Sequence, residues 1–110
     1  MDNQSNLLKG NLELILLSIL EREPKYGLEI IKEAQARTEG YFAFKEGSLY
    51  PALHRLTEAG YLEAEFRYLP RGGAPVRFYR ITQAGLQLLD GRRAEFERFV
   101  QAVRKLGGLG

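Results

Sequence analysis

Apolar residues recur at helical spacing over the first half of the chain and again near its end. Two such stretches, Leu7–Arg22 and Tyr26–Arg37, are separated by Pro24 and predict two helices. A third helix is predicted ahead of Gly60, a residue that can end it, and a fourth over residues 82–106. The pattern therefore indicates a chain that is mainly helical.

Between the third and fourth helices the period changes to two. Residues 61–69 alternate, residues 70–75 form a Gly/Pro-rich loop, and residues 76–82 are rich in β-branched and aromatic side chains. These features predict a small β-hairpin, and the order of elements is that of a winged helix-turn-helix. We therefore predict a winged-helix domain over residues 7–82 and a C-terminal dimerisation helix over residues 83–106. The side of the first strand predicted to face the core carries Leu62, Ala64, Phe66 and Tyr68.

The third predicted helix has two faces of different chemistry. One face holds only apolar side chains, namely Leu49, Ala52, Leu53 and Leu56. The opposite face and its edges carry hydroxyl, aromatic and basic groups, which are candidates for contact with DNA: Ser48, Tyr50, Pro51, His54 and Arg55. Ser48 is a plausible N-cap, which would place Pro51 in the first turn. If the helix begins nearer Glu46, Pro51 removes one backbone hydrogen bond.

The last predicted helix carries an apolar seam. Thr82 is a candidate N-cap for it, and Gly91 lies inside it. The seam residues follow a heptad-like spacing: Leu89, Phe96, Phe99, Val103 and Leu106. A helix packed on its own domain would also explain them, but a head of three helices and a hairpin offers little further surface to cover the seam. We therefore predict a homodimer held together by this helix.

Basic residues are concentrated in the hairpin. The net charge of the chain is only +2, yet residues 66–81 contain four arginines and no acidic residue. Such a run beside a predicted DNA-contacting helix favours binding to nucleic acid, and a solvated hairpin kept soluble by its arginines is the alternative. The two arginines in or beside the loop, Arg71 and Arg77, are candidates for contact with the DNA backbone or the minor groove.

Several classes of function are disfavoured by composition. The chain has no cysteine and one histidine, so a metal centre lacks ligands, and no glycine-rich loop follows a strand to cradle a phosphate. No nucleophile or carboxylate stands in a context that would activate it, so we predict neither an enzyme nor a cofactor. A membrane span needs about 20 residues, and no apolar run approaches that length. No signal peptide is visible either. We therefore predict a cytoplasmic protein.

Three segments of the chain, in the same order, resemble the PadR-like transcriptional regulators. The segments are Tyr26-Gly27-Leu28-Glu29-Ile30, Gly47-Ser48-Leu49-Tyr50-Pro51 with Leu53, Arg55, Leu56 and Gly60, and Arg77-Phe78-Tyr79-Arg80-Ile81-Thr82 with Gly85. The resemblance implies a repressor of target genes that binds double-stranded DNA as a homodimer, often relieved by a small-molecule effector at or near the dimer interface. A symmetric dimer would read a palindromic operator.

A second interpretation comes from a different class of function. A winged helix can serve as a protein-interaction module or as a small-molecule-binding dimer without DNA. Three carboxylates near the proposed DNA side favour that interpretation: Glu58, Glu63 and Glu65. Several aromatic residues could line a ligand pocket or belong to the core: Tyr41, Phe42, Phe44, Phe96 and Phe99.

Overall fold

Five helices and three strands make up the protein in a computed structural model that describes residues 3–109. The elements follow one another in the order expected of a winged helix, with a long helix at the end. They are α1 (Asn3–Gly10), α2 (Leu12–Ile19), β1 (Lys25–Tyr26), α3 (Gly27–Arg37), α4 (Glu46–Glu58), β2 (Leu62–Arg67), β3 (Val76–Ile81) and α5 (Gln83–Lys105).

The first predicted helix is two helices. Asn11 interrupts it: its backbone amide donates to the Leu8 carbonyl three residues earlier at 3.2 Å, and its side chain donates to the Leu7 carbonyl at 2.9 Å. Gly10 and Asn11 are both poor helix formers, which explains the position of the break. The second part ends at Ile19, ahead of Pro24, because the chain turns there into β1.

The predicted hairpin is confirmed, and a third strand joins it. All pairings are antiparallel and the strand order is β1-β3-β2. In β1, Lys25 pairs with Tyr79 and Tyr26 pairs with Phe78, where the two rings lie 5.2 Å apart. β1 has only two residues, too few for an alternating pattern, so the sequence did not reveal it. The hairpin formed by β2, β3 and the loop over residues 68–75 is called the wing below.

The core lies where α2, α3 and α4 meet the inner side of the sheet and the first half of α5. Its fully buried side chains are almost all leucines: Leu16, Leu17, Leu20, Ile30, Leu49, Leu53, Leu56, Leu62 and Leu89. Thr82 caps α5 as predicted, since its hydroxyl accepts a hydrogen bond from the Gly85 amide at 3.0 Å. Arg92 and Arg93 then join α5 to α2 and the residues after it, through Glu13 at 2.7 Å and Glu21 at 2.9 Å.

Candidate nucleic-acid interface

Of the two starts that the sequence leaves open for α4, the one nearer Glu46 is confirmed, and Ser48 is not the N-cap. Lys45 is the N-cap residue, with an extended backbone, and its carbonyl accepts hydrogen bonds from the amides of Ser48 and Leu49, both at 3.0 Å. Ser48 is therefore the third residue of the helix. Pro51 lies beyond the first turn, where it removes one helical hydrogen bond, and the helix continues to Glu58.

The two faces of α4 are arranged as the sequence predicts. Leu49, Leu53 and Leu56 are buried in the core. His54 lies on the outer side of the helix with 65% of its side chain exposed, and its Nε2 is 3.8 Å from a carboxylate oxygen of Glu58 one turn later. The leucines thus hold α4 to the protein with His54 facing outward.

Tyr50 lies at one flank of α4 and packs against the start of α3. The residue is 42% exposed, and its ring covers Gly27, where a Cβ would fall 2.7–2.8 Å from two ring carbons. Partial burial raises the pKa of the Tyr50 hydroxyl above its ordinary value, and the charges of Glu46 and Tyr79 raise it further. The hydroxyl is therefore protonated at neutral pH and can donate as well as accept a hydrogen bond.

The opposite flank of α4 belongs to a different surface. Arg55 is exposed there and lines a cavity of about 490 Å³ together with Ala52. The remaining walls come from α1, α2 and the middle of α5, including Phe96 and Phe99. Among the candidates on α4, Arg55 therefore lies apart from Tyr50, nearer to the long final helix.

The wing has two faces that differ in charge. Because side chains alternate along a strand, the cross-strand pairs Leu62–Ile81, Ala64–Tyr79 and Phe66–Arg77 share the face turned toward α4. This side of the wing is called the α4-side face below. Arg77 extends over the ring of Tyr79, with its guanidinium carbon 5.5 Å from the ring centroid.

On the opposite face of the wing, two of the four arginines are paired with carboxylates. Arg80 contacts Glu63 across the strands at 2.6 Å, and Arg67 contacts Glu65 at 2.8 Å. Within residues 3–109, Arg71 and Arg77 form no ion pair. The basic character that the sequence predicts for the whole hairpin is thus restricted to its loop and its α4-side face.

The loop of the wing is a turn that needs glycine. Gly72 and Gly73 both have φ in the left-handed region, 84° and 91°, and the Gly72 amide donates to the Leu69 carbonyl at 2.9 Å. Arg71 precedes them and is exposed at the tip. The turn thus presents Arg71 at the end of the wing farthest from the core.

The seam predicted on the final helix is only partly available to a second chain. Leu89 is completely buried in the core of its own chain, so its assignment to a dimer interface is wrong. The same heptad spacing runs through the part of α5 that packs on α2 and through the part that projects beyond α2, so spacing alone does not distinguish the two parts. The other predicted seam residues remain partly or largely exposed: Phe96, Phe99, Val103 and Leu106.

An apolar groove runs along the projecting part of α5. Its volume is about 750 Å³, and its walls come from α1, α2, the end of α3 and the loop that follows. Four of the five aromatic residues considered as pocket candidates line it, namely Tyr41, Phe42, Phe96 and Phe99. Phe44 is instead buried in the core.

Two kinds of feature are not found in the part of the chain that the structure describes. Within residues 3–109, no three His, Cys, Asp or Glu side chains come close enough together to hold a metal ion. None of the helices described there is both long and apolar enough to cross a membrane.

Two features of this surface escaped sequence reasoning. The sequence shows Gly27 only as part of a motif, because its contact with the ring of Tyr50 depends on how α3 packs against α4. Phe66 was predicted to face the core because it follows the alternation of β2, yet it is 68% exposed. The alternation of β2 is the only sequence signal for Phe66. It shows on which side of the strand the residue lies, but not how far along the strand the core extends.

A family model and several solved structures match this chain. The model of the transcriptional regulator PadR-like family matches residues 16–91. A solved transcriptional regulator from Clostridium thermocellum superposes with a TM-score of 0.82 at 28% identity, covering 91% of this chain and 96% of that one. A PadR family transcriptional regulator from Eggerthella lenta superposes with a TM-score of 0.80 at 30% identity, covering 96% of this chain and 89% of that one.

A curated relative is similar at the level of sequence. The transcriptional regulator YqjI of Escherichia coli is 28% identical over 95 residues, which cover 86% of this chain and 44% of that protein. The chain thus spans less than half of the length of YqjI.

Proposed function

Because the chain belongs to the PadR-like family of transcriptional regulators, we propose that it acts in the cytoplasm as a homodimeric, sequence-specific repressor. Members of this family are DNA-binding regulators and not enzymes. In the proposal, α4 enters the major groove and the wing contacts the adjacent backbone or minor groove.

The observation that carries this proposal is that α4 packs against β2, which sets the exposed side of α4 beside the α4-side face of the wing. Arg77 lies there over the buried ring of Tyr79, and Tyr79 is close enough to Tyr50 to affect the pKa of its hydroxyl. His54 extends the same surface along α4, and Glu63 and Glu65 lie on the other side of the wing. An exposed helix beside a basic hairpin matches a major groove flanked by phosphates.

In the proposed complex with DNA, each candidate residue is assigned a role according to its position. Tyr50 and His54 are assigned to base edges, and the hydroxyl of Ser48 to a phosphate near the start of α4. Pro51 lies between them on the same side and shapes the contact surface. Arg55, on the other flank of α4, is assigned to a phosphate, and the two wing arginines Arg71 and Arg77 to the adjacent backbone or the minor groove.

Dimerisation is assigned to α5 and the groove beside it. Two of the exposed aromatic residues of the chain, Phe96 and Phe99, lie on α5, with Val103 and Leu106 beyond them. A second α5, together with α1, would cover this surface, and an obligate interface of this kind buries about 2,000 Å² or more. The two α4 helices of such a dimer would meet successive major grooves about 34–36 Å apart, which requires a palindromic operator.

Relief by a small effector is assigned to the same groove. Its volume of about 750 Å³ is in the range of ligand sites, and its aromatic walls suit a flat, largely apolar molecule. An effector bound there would contact α5 and the loop after α3, and so would alter the dimer that positions the two α4 helices. Release of the operator on titration with such molecules tests this assignment.

We predict that Tyr50→Ala and His54→Ala each lower the affinity for the operator by about 1–3 kcal/mol, because each removes a contact to a base edge. Binding isotherms on the operator and on random duplex measure the effect. Tyr50→Phe separates the contact from the packing, since it keeps the ring on Gly27 and removes only the hydroxyl, and it should also lose affinity. Unchanged specificity in both alanine variants, with the fold intact by circular dichroism, would contradict the assignment of α4.

We predict that Arg71→Ala weakens binding to all duplexes similarly and reduces the slope of log K against log salt by about one unit. A side chain at the tip of a glycine turn is suited to a phosphate and not to a fixed base contact. Arg80→Ala is the control, because Arg80 pairs with Glu63 on the other face of the wing and should leave the slope unchanged. A changed sequence preference with unaltered non-specific binding would show that the wing is misassigned.

One observation favours the alternative of a protein-interaction module. Glu58 stands 3.8 Å from His54 and adds negative charge to the exposed side of α4. The other two carboxylates that favoured it, Glu63 and Glu65, pair with arginines away from α4. A salt-dependent mobility shift with duplex DNA distinguishes the two functions, since the alternative predicts none.

A further inference from the structure

Phe66 is an aromatic side chain exposed to solvent where the alternation of its strand predicts burial. On the α4-side face, Leu62 is almost completely buried and Ala64 is half-buried, but Phe66 is 68% exposed. The wing therefore extends beyond the core it covers at its base. Tyr68, two residues further along the chain, is 76% exposed as well, and neighbouring exposed aromatic rings are typical of an interaction surface.

The surroundings of Phe66 indicate what that partner is. Its cross-strand neighbour is Arg77, and Arg71 lies further out at the tip of the wing. The carboxylates of the wing, Glu63 and Glu65, point to the opposite face, where they pair with Arg80 and Arg67. A ring flanked by unpaired cations, with the nearby carboxylates on the reverse side, complements a polyanion that also offers apolar surface.

The position of Phe66 relative to α4 indicates more closely which polyanion the partner is. Phe66 pairs with Arg77 and lies on β2, the strand that packs against α4, so Phe66 belongs to the side of the wing that the proposed function assigns to DNA. With α4 in the major groove, the hairpin beyond its flank reaches the adjacent minor groove. The walls of that groove are deoxyribose faces, which are apolar, and apolar side chains are recurrent contacts there.

We propose that the ring of Phe66 packs against deoxyribose in the minor groove beside each half-site, while Arg77 contacts the phosphates that flank it. The inference rests on the proposed function and adds a residue and a type of contact to it. The two side chains then contribute differently: Arg77 acts through charge and depends on salt, whereas Phe66 acts through apolar contact and does not.

Binding isotherms on the operator over a series of salt concentrations test the proposal. Phe66→Ala should weaken binding about tenfold at every salt concentration and leave the salt slope unchanged, since a ring that is 68% exposed in the free protein gains part of a full apolar burial on binding. Phe66→Leu should recover most of the loss. The matched control is Arg67→Ala, on the opposite face of the same strand, which should bind nearly as the wild type does.

Footprinting locates the contact. Hydroxyl radicals cleave at sugars exposed in the minor groove, and dimethyl sulfate methylates guanine N7 in the major groove. Phe66→Ala should lose sugar protection beside each half-site and keep protection of guanine N7 by α4. Wild-type affinity and wild-type sugar protection in Phe66→Ala would overturn the inference alone. Failure of the wild-type protein to bind any duplex would overturn the proposed function and the inference together.

Discussion

Replacing both Phe96 and Val103 with glutamate is expected to abolish dimerisation and to lower operator affinity by about a hundredfold or more. The two residues lie seven positions apart on one side of α5, and both line the apolar groove. Charges placed there cannot be buried against a second chain without a large desolvation cost. A monomer contacts one half-site, so the gain from simultaneous binding of two half-sites is lost.

A matched control is available on the other side of the same helix. Ala94 and Gln101 are also seven positions apart, are exposed, and lie opposite the groove. The double change Ala94→Glu and Gln101→Glu adds the same charge and should leave a dimer that binds the operator. Sedimentation equilibrium gives the oligomeric state and circular dichroism the fold. A folded dimer that persists after Phe96 and Val103 are both changed to glutamate would refute the proposed interface.

Gly85→Ala is expected to lower the free energy of unfolding by about 2–3 kcal/mol. A Cβ at position 85 would collide with the Tyr61 carbonyl oxygen and would fall 2.7 Å from Cγ1 of Ile81. Neither neighbour can move freely: the Tyr61 carbonyl accepts a hydrogen bond from the Thr82 amide at 3.1 Å, and Ile81 is buried at the end of β3. The start of α5 would have to shift away from the sheet.

Gly91→Ala provides the comparison for that measurement. Gly91 lies in the same helix, and a Cβ there would meet no atom within 4 Å. Because alanine is the better helix former, this variant should be more stable than the wild type by about 1 kcal/mol. Urea unfolding at one fixed protein concentration measures both changes, since the stability of a dimer depends on concentration. Destabilisation of equal size in the two variants would contradict the packing assigned to Gly85.

The arrangement of elements was accessible from the sequence because it depends on local patterns. The leucines of α4 recur at helical spacing, and Thr82 is an N-cap with its partner amide three residues later. The spacing of apolar residues changes from a period of 3.6 to a period of two on both sides of a Gly/Pro loop, and this change predicts the wing. Each of these signals lies within a short stretch of chain, and the structure confirms each of them.

The errors arise where distant parts of the chain decide the outcome. Ser48 has the chemistry of an N-cap, but the helix begins two residues before it at Glu46, and Lys45 is the N-cap. The seam spacing of Leu89 is the same whether α5 packs on α2 or on a second chain, and only tertiary structure distinguishes the two. The pairing of Arg80 with Glu63 depends on strand register, which joins residues that are 17 positions apart.

The candidate site was predictable in composition but not in arrangement. Helical periodicity placed Tyr50 and His54 on the side of α4 away from the core, where both are exposed. It could not show that Tyr50 rests on Gly27, or that Arg55 belongs to the flank near α5. Those relations arise from how α4 packs against α3, α2 and α5.

In the proposed function, two copies of this chain read a palindrome through their α4 helices. Selection of bound sequences from a random duplex library, followed by isotherms on the selected duplex at several salt concentrations, is the decisive measurement. We expect a palindrome with half-site centres about 34–36 Å apart or a multiple of that distance. Two chains should bind per duplex, with affinity that falls as salt rises. Enrichment of no sequence, together with no salt-dependent binding to any duplex, would contradict the claim.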